Sequence, residues 1–199
     1  MKTKTRKWMI LSLWVVATAF IMAGCSTENM EELEAGASDR KAPDELIDLR
    51  SAPASQNQLL AQIKAVTAQY HNFEKALADG YVLDPHCAAH PELGGMGYHA
   101  VRFDLVDGVV DPLKPEALVY EPMKNGKYRL VAVEYIVHAD SWNNDALPML
   151  GDQVFYDHRA PGSGGPPFPH YQLHVWVWKN NPSGMYSPFN PNVSCEFAD

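Results

Sequence analysis

Three residues in separate stretches of the chain have side chains that bind transition metals: His99, Glu134 and His174. Two imidazoles and one carboxylate form a donor set suited to Fe(II), Mn, Zn or, less readily, Cu. Three protein ligands leave positions open for water or substrate, so metal-assisted hydrolysis or oxidation is feasible at such a site. Spacing alone does not prove that these side chains meet. The alternative is that they are ordinary buried polar residues.

Glu134 interrupts an apolar run, residues 130–137, that otherwise predicts a buried strand. Alternation places its side chain on one face with the residues two and four positions away, which are Leu130, Ala132 and Ile136. A carboxylate there must be paired, hydrogen-bonded, protonated or metal-bound, because an isolated buried charge costs several kcal/mol. Two alternatives remain open: this face of the strand is solvent-exposed, or Arg102 or Arg129 neutralises the carboxylate.

His170 and His174 lie in a second aromatic stretch that predicts a strand, and both share a face with Gln172. Four residues of extended chain span about 13 Å, so these two histidines cannot bind one ion within a regular strand. His174 is therefore the better ligand, and His170 joins the site only if the chain bends after Pro169. His170, Gln172 and Tyr98 are the candidates for a fourth ligand or an outer hydrogen bond.

The elements that would position these residues follow from periodicity. An amphipathic helix is predicted over residues 56–79, opened by a capping box at Ser55 and Gln58 and closed at Gly80. Strands are predicted over residues 98–103, 117–121, 128–137 and 171–178. Asn125-Gly126 predicts a hairpin turn between the second and third of these strands. We therefore expect one α+β domain over residues 56–199, with its N-terminal amphipathic helix packed on an antiparallel sheet or small barrel.

Two cysteines of this domain, Cys87 and Cys195, are expected to form a disulfide. The bond would close a loop of about 107 residues, which is worth roughly 4–5 kcal/mol in the chain-entropy treatment. Two free thiols, or a metal site that uses Cys87 and nearby histidines, are the alternatives. His86 and His90 flank Cys87, but the nearby prolines favour a solvated loop there.

The first 25 residues predict where the protein resides. A basic start and a short apolar run up to residue 22 are typical of a secretory signal peptide over residues 1–24. Ala23-Gly24 directly before Cys25 resembles the lipobox of bacterial lipoproteins, in which the thiol of that cysteine is lipidated. Acidic residues dominate the stretch from residue 25 to 55, which predicts a flexible tether. We therefore expect an outer-membrane lipoprotein facing the periplasm or the cell surface.

The charge of the chain restricts its partners. The net charge is −8, and the predicted leader holds four cations and no anions, so the cleaved chain is still more acidic. Such a chain lacks the clustered Lys and Arg that bind nucleic acid, and it would not adhere to anionic headgroups. Membrane contact is therefore expected through the lipid anchor alone. A small-molecule or protein partner remains open.

Several short motifs together are similar to those of one bacterial family. They are Gly94-Gly95-Met96-Gly97-Tyr98-His99, Val133-Glu134-Tyr135, His170-Tyr171-Gln172-Leu173-His174-Val175-Trp176 and Asn190-Pro191-Asn192-Val193-Ser194-Cys195. The chain from roughly residue 60 to 195 resembles an uncharacterised family of secreted bacterial domains and lipoproteins. The resemblance implies the limits of the domain and no particular activity. A non-catalytic ligand-binding or interaction module, formed by the aromatic strand and the Gly/Pro loop at 161–169, is the alternative to a metal protein.

Overall fold

The computed structural model describes residues 52–199, with side chains from residue 55 onward. The predictions for residues 1–51, which include the leader, Cys25 and nearly all of the tether, lie outside the described residues. Neither helix of the described part combines the length and the hydrophobicity that a bilayer-spanning segment needs.

The helical part begins with α1 (Ala52–Thr67), continues as a 3-10 turn (Ala68–His71) and ends with α2 (Phe73–Ala78). The continuous helix predicted over 56–79 is thus interrupted at Asn72, whose backbone is extended. Asn competes with helical hydrogen bonding and favours such breaks. The break lets Tyr70 and Phe73 both pack into the core, where the Phe73 ring lies 5.1 Å from that of Tyr120.

Six strands form one antiparallel sheet that curls into a half-barrel. They are β1 (Val82–His90), β2 (Gly94–Val101), β3 (Ala117–Pro122), β4 (Tyr128–His138), β7 (Tyr156–His158) and β8 (His170–Val175). Their order is β1-β2-β3-β4-β8-β7, and β5 (Met149–Leu150) pairs separately with β6 (Gln153–Val154). The prediction of a sheet-rich, antiparallel fold is confirmed. The predicted hairpin is also present, because Gly126, at φ 72°, lies in the turn that joins β3 to β4.

The sheet has two faces of different character. The tyrosine face packs with Ile63, Tyr70 and Ala76 of the helical part; from the strands it includes Tyr98, Leu118, Tyr120, Val133, Tyr135, Tyr171 and Leu173. The histidine face carries the alternate residues of the same strands: His99, Val119, Ala132, Glu134, Ile136, His170, Gln172 and His174. Phe168 and Val193, from the loop before β8 and the C-terminal tail, cover parts of this second face.

The stretch around Cys87 is a strand and not the loop that its prolines suggested. β1 is an edge strand that pairs only with β2 in the described sheet, and its register shifts between Leu83 and Cys87. Pro85 lies in this shift. An edge strand with irregular pairing tolerates a proline because one side of it needs no ladder hydrogen bond.

Cys87 and Cys195 form a disulfide with a Cα–Cα distance of 5.8 Å. This confirms the predicted pairing and excludes free thiols and a metal site that uses Cys87. The bond attaches the C-terminal tail to β1, and Gly95 of β2 exchanges backbone hydrogen bonds with Asn190 of the same tail. The tail is thereby fixed against the strand that carries His99.

Candidate metal centre

Three strands bring His99, Glu134 and His174 together. Glu134 of β4 and His174 of β8 are directly opposite each other in the ladder. His99 lies on β2, and two strands separate β2 from β8. The intervening histidine-face residues, Val119 and Ala132, have small side chains, so the rings of His99 and His174 can meet above them.

A glycine in β2 sets the distance between His99 and the next strand. Gly97 has φ 106°, which L side chains rarely adopt, and a Cβ at this position would lie 2.4 Å from the Tyr120 carbonyl oxygen. β2 therefore approaches β3 more closely than any residue with a side chain would allow. Two residues later the chain directs His99 onto the histidine face.

A bulge in β4 determines which residues share a face with Glu134. Val119 pairs with Ala132, but the next residue, Tyr120, pairs with Leu130. The extra residue reverses the alternation. Leu130 therefore packs on the tyrosine face, and its predicted position beside Glu134 is wrong, whereas Ala132 and Ile136 do lie on the histidine face.

The distances among the three side chains fit one metal ion. The two Nε2 atoms of His99 and His174 lie 3.2 Å apart. His99 Nε2 is 3.6 Å from Glu134 Oε2, and the second carboxylate oxygen is 3.6 Å from His174 Nδ1. One ligand atom from each residue can be chosen so that all lie within 4.8 Å of one another. Two atoms each roughly 2.0–2.2 Å from a tetrahedral ion lie about 3.3–3.6 Å apart. The two contacts of His99 are close to this spacing. His174 faces His99 with Nε2 and Glu134 with Nδ1, so in any single ligand set one of its two contacts is limited only by the 4.8 Å bound.

Burial makes these three side chains uncharged in the absence of a cation. The side chains of Glu134 and His174 are 5% and 1% exposed. Desolvation raises the pKa of Glu134 to about 8, lowers the pKa of His99 to about 4 and lowers the pKa of His174 well below its ordinary value. At neutral pH both imidazoles are therefore neutral and have a lone pair for a metal. A divalent ion would favour the ionised carboxylate and oppose the effect of burial.

Glu134 neither lies on a solvent-exposed face of the strand nor pairs with an arginine, so both of these alternatives are excluded. Glu134 is only 4% exposed. Arg102 pairs with Asp104, and Arg129 lies near Glu121, so neither guanidinium group neutralises Glu134. At 3.6 Å neither imidazole is within ordinary hydrogen-bond distance of the carboxylate. The remaining possibilities are a protonated carboxyl group and a metal ligand.

His170 lies outside this group of three, on the same face of β8. Its Nε2 faces Gln172 Oε1 at 3.2 Å, and its Nδ1 is 2.7 Å from the Phe168 carbonyl oxygen. Tyr98, the other predicted outer contact, points to the tyrosine face. The polar side chains His170 and Gln172 therefore form a separate cluster along the strand from His174.

His158 belongs to this second cluster and was missed by sequence reasoning. It is opposite His170 in the ladder of β7 and β8, and its Nε2 lies 3.2 Å from the amide nitrogen of Gln172. β7 has only three residues and precedes a Gly/Pro loop. Three residues carry too little periodicity to predict a strand, so no sequence signal placed His158 on this face.

The other histidine and tryptophan side chains that the sequence suggested as metal or ligand sites do not contribute to the candidate centre. The side chain of His86 is 89% exposed and contacts Asp84. Trp176 is 2% exposed, and its indole N–H donates to the Ser187 carbonyl oxygen. Trp178 donates to Thr67 Oγ1. The aromatic strand therefore contributes to the core and not to an open ligand surface.

No protein-family model, curated protein or solved structure matches this chain. The family resemblance of its motifs remains a prediction, and the geometry of the site must carry any functional argument.

Proposed function

We propose that this chain is a cell-envelope lipoprotein whose sheet-rich domain binds a divalent transition metal ion through His99, Glu134 and His174. The observation that carries the proposal is the 3.2 Å separation of the two imidazole Nε2 atoms beside a buried carboxylate. The same donor set suits Fe, Mn, Zn or Cu. In this proposal the amphipathic helix packs on the tyrosine face and leaves the histidine face to the metal.

Access to the ion would be from the side of His99. The His99 side chain is 16% exposed, whereas those of Glu134 and His174 are almost fully buried. Three protein ligands leave at least one position for water or a substrate atom. Metal-assisted hydrolysis and oxidation are the reaction classes compatible with such a centre, and binding without catalysis is compatible with it as well.

Elemental analysis tests the proposal. The full chain, produced in an oxidising compartment without a histidine tag, is freed of metal and dialysed against one equivalent of Zn(II). We expect close to one ion per chain in the wild type and in the control His86→Ala, which removes an exposed imidazole. In the double variant His99→Ala/His174→Ala, the high-affinity binding of this ion, measured by competition with a chromophoric chelator, should be lost while the circular dichroism is unchanged. A folded double variant that binds Zn(II) with the affinity of wild type would contradict the proposal.

The envelope location is supported by the lipobox-like residues before Cys25 and by the disulfide, which is typical of oxidising compartments. In a bacterial host that processes lipoproteins, we expect Cys25→Ser to move the protein from the membrane fraction to the soluble fraction. Ser38→Ala, which leaves both the lipid site and the disulfide intact, is the control. Equal membrane association of Cys25→Ser and wild type would contradict lipidation at this residue.

A non-catalytic ligand-binding module is the second candidate function. A half-open pocket of about 460 Å³ is formed by the Gly/Pro loop itself and is lined by residues 158–169. Its volume is within the range of small-molecule sites. A ligand that binds the metal-free His99→Ala/His174→Ala variant as tightly as wild type would favour this function.

A further inference from the structure

We infer that the chain has a second metal site, formed by His158, His170 and Gln172 beside the first centre. This inference goes beyond the proposed function, because it uses a different set of ligands. The class of ion expected is a divalent metal that prefers imidazole, such as Zn(II), Cu(II), Ni(II) or Co(II).

The pairing of two strands brings the imidazoles together. His158 of β7 is directly opposite His170 of β8, and the two ring centroids are 5.3 Å apart. Directly opposite residues in an antiparallel pair have Cβ atoms about 4.5–5.5 Å apart. At this spacing the two imidazoles can chelate one ion when His158 Nε2 exchanges its 3.2 Å contact with the Gln172 amide nitrogen for the metal.

The hydrogen bonds of His170 leave its Nε2 available as a ligand. A carbonyl oxygen only accepts, so the 2.7 Å contact with Phe168 requires the proton of His170 on Nδ1. The lone pair of Nε2 then faces Gln172 Oε1, which is a second acceptor, at 3.2 Å. A backbone carbonyl that holds the distal nitrogen is the arrangement found behind metal-ligating histidines. Two acceptors that face each other at this distance are satisfied by a cation bound to both.

A glycine of the Gly/Pro loop lies directly over these two atoms. A Cβ on Gly165 would lie 2.8 Å from His170 Nε2 and 3.0 Å from Gln172 Oε1. The absence of a side chain at this position therefore creates a cradle over the two acceptors. Gly165 also has φ 76°, which favours glycine.

The second site should bind more weakly than the first. Its three donors are neutral, whereas the first centre includes the Glu134 carboxylate. His158 also lacks an outer partner, since its Nδ1 is buried without a hydrogen bond in the described part of the chain. We therefore expect a second, weaker equivalent of metal.

The competing arrangement needs no ion. If the Gln172 amide is turned round, its nitrogen donates to His170 Nε2 and its oxygen accepts from a protonated His158 Nε2, because amide oxygen and nitrogen exchange places. That arrangement predicts a single ion per chain, and the number of bound ions therefore distinguishes the two.

Equilibrium dialysis of the tag-free full chain against a series of free Zn(II) concentrations is the test. Wild type should bind two equivalents. His158→Ala should bind one, and so should Gly165→Ala, which keeps all three ligands but fills the cradle. Gly162→Ala is the matched control and should bind two, because this residue also has a positive φ, of 82°, but a Cβ there meets no atom within 4 Å.

The double variant His99→Ala/His174→Ala shows which of the two sites is absent. It lacks the first centre, so it should still bind one equivalent of Zn(II), and that binding should depend on His158. A wild type that binds one equivalent, with this ion lost in His99→Ala/His174→Ala, would overturn the second site and leave the proposed function intact. Two equivalents in either folded variant, His158→Ala or Gly165→Ala, would also overturn it. Loss of one equivalent in both variants, with Gly162→Ala unchanged, supports it.

Discussion

The Nε2 atoms of His99 and His174 lie 3.2 Å apart although two strands separate the strands that carry them. In a flat sheet, three inter-strand spacings of about 4.8 Å place the backbones roughly 14 Å apart. The side chains meet because the sheet curls and because Val119 and Ala132 between them are small. Without an ion, the two Nε2 atoms can share one N–H···N hydrogen bond, which leaves His174 Nδ1 buried without a hydrogen-bond partner among the described residues.

Glu134→Gln separates the metal role of this residue from any structural role. The amide is nearly isosteric but cannot ionise, so at pH 7 the metal-free variant should be more stable towards urea than wild type, whose Glu134 has a pKa raised to about 8 in the folded state. Its affinity for Zn(II) should fall roughly 10- to 100-fold or more, because the anionic ligand is lost. A competition titration with a chromophoric chelator measures this change. Unchanged affinity in the variant would show that Glu134 is not a ligand.

Gly97→Ala should weaken the metal centre without touching a ligand. The new Cβ would meet the Tyr120 carbonyl oxygen at 2.4 Å, so β2 must shift and His99 with it. We expect weaker Zn(II) binding in the same competition titration. Gly126→Ala is the control, because it also has a positive φ but open space around its Cβ. Equal affinities of the two alanine variants would show that the position of β2 does not govern the site.

A second buried carboxyl group should make stability depend on pH. Glu116 is 2% exposed and accepts a hydrogen bond from the Ile136 backbone N–H. Desolvation raises its pKa from 4.5 to about 8. The folded state therefore binds more protons than the unfolded state between these values, and stability falls as pH rises through this window.

Glu116→Gln should flatten this dependence, because the amide still accepts from Ile136 and never ionises. Urea midpoints of metal-free protein at pH 5 and pH 8.5 provide the comparison. Wild type should lose more stability between the two than the variant, and Glu134 should account for a remaining part of the loss. The same loss in both proteins would contradict the assignment.

Removal of the disulfide should destabilise the domain strongly. The cysteines are 108 residues apart, for which the chain-entropy treatment gives roughly 4–5 kcal/mol. Guanidinium unfolding of Cys87→Ala/Cys195→Ala measures the loss, and wild type in reducing agent should show a similar one. A change below about 1 kcal/mol would mean that backbone contacts of the tail, such as those of Gly95 with Asn190 and Val193, are sufficient to hold it.

The residues that sequence reasoning placed correctly are those with strong local signals. Four strands were found from alternation, the hairpin from Asn125-Gly126, and the cysteine pair from its number and context. The three members of the candidate centre are recognisable in the sequence because a carboxylate or imidazole in an apolar strand is unusual. Their convergence was a hypothesis, because periodicity fixes a face within one strand but not which strands are neighbours.

The errors arose where tertiary packing overrides local pattern. Leu130 changed face because a single bulged residue reverses the alternation, and no residue type marks a bulge of this kind. The helix breaks at Asn72 so that the rings on both sides of it enter the core. His158 was missed because it belongs to a strand of only three residues.

The most direct test of the metal centre is an anomalous difference map from crystals loaded with one equivalent of Co(II). We expect one peak about 2.0–2.2 Å from Nε2 of His99, a ring nitrogen of His174 and a carboxylate oxygen of Glu134. Cobalt bound elsewhere, with these three side chains in direct hydrogen bonds and no peak between them, would contradict it.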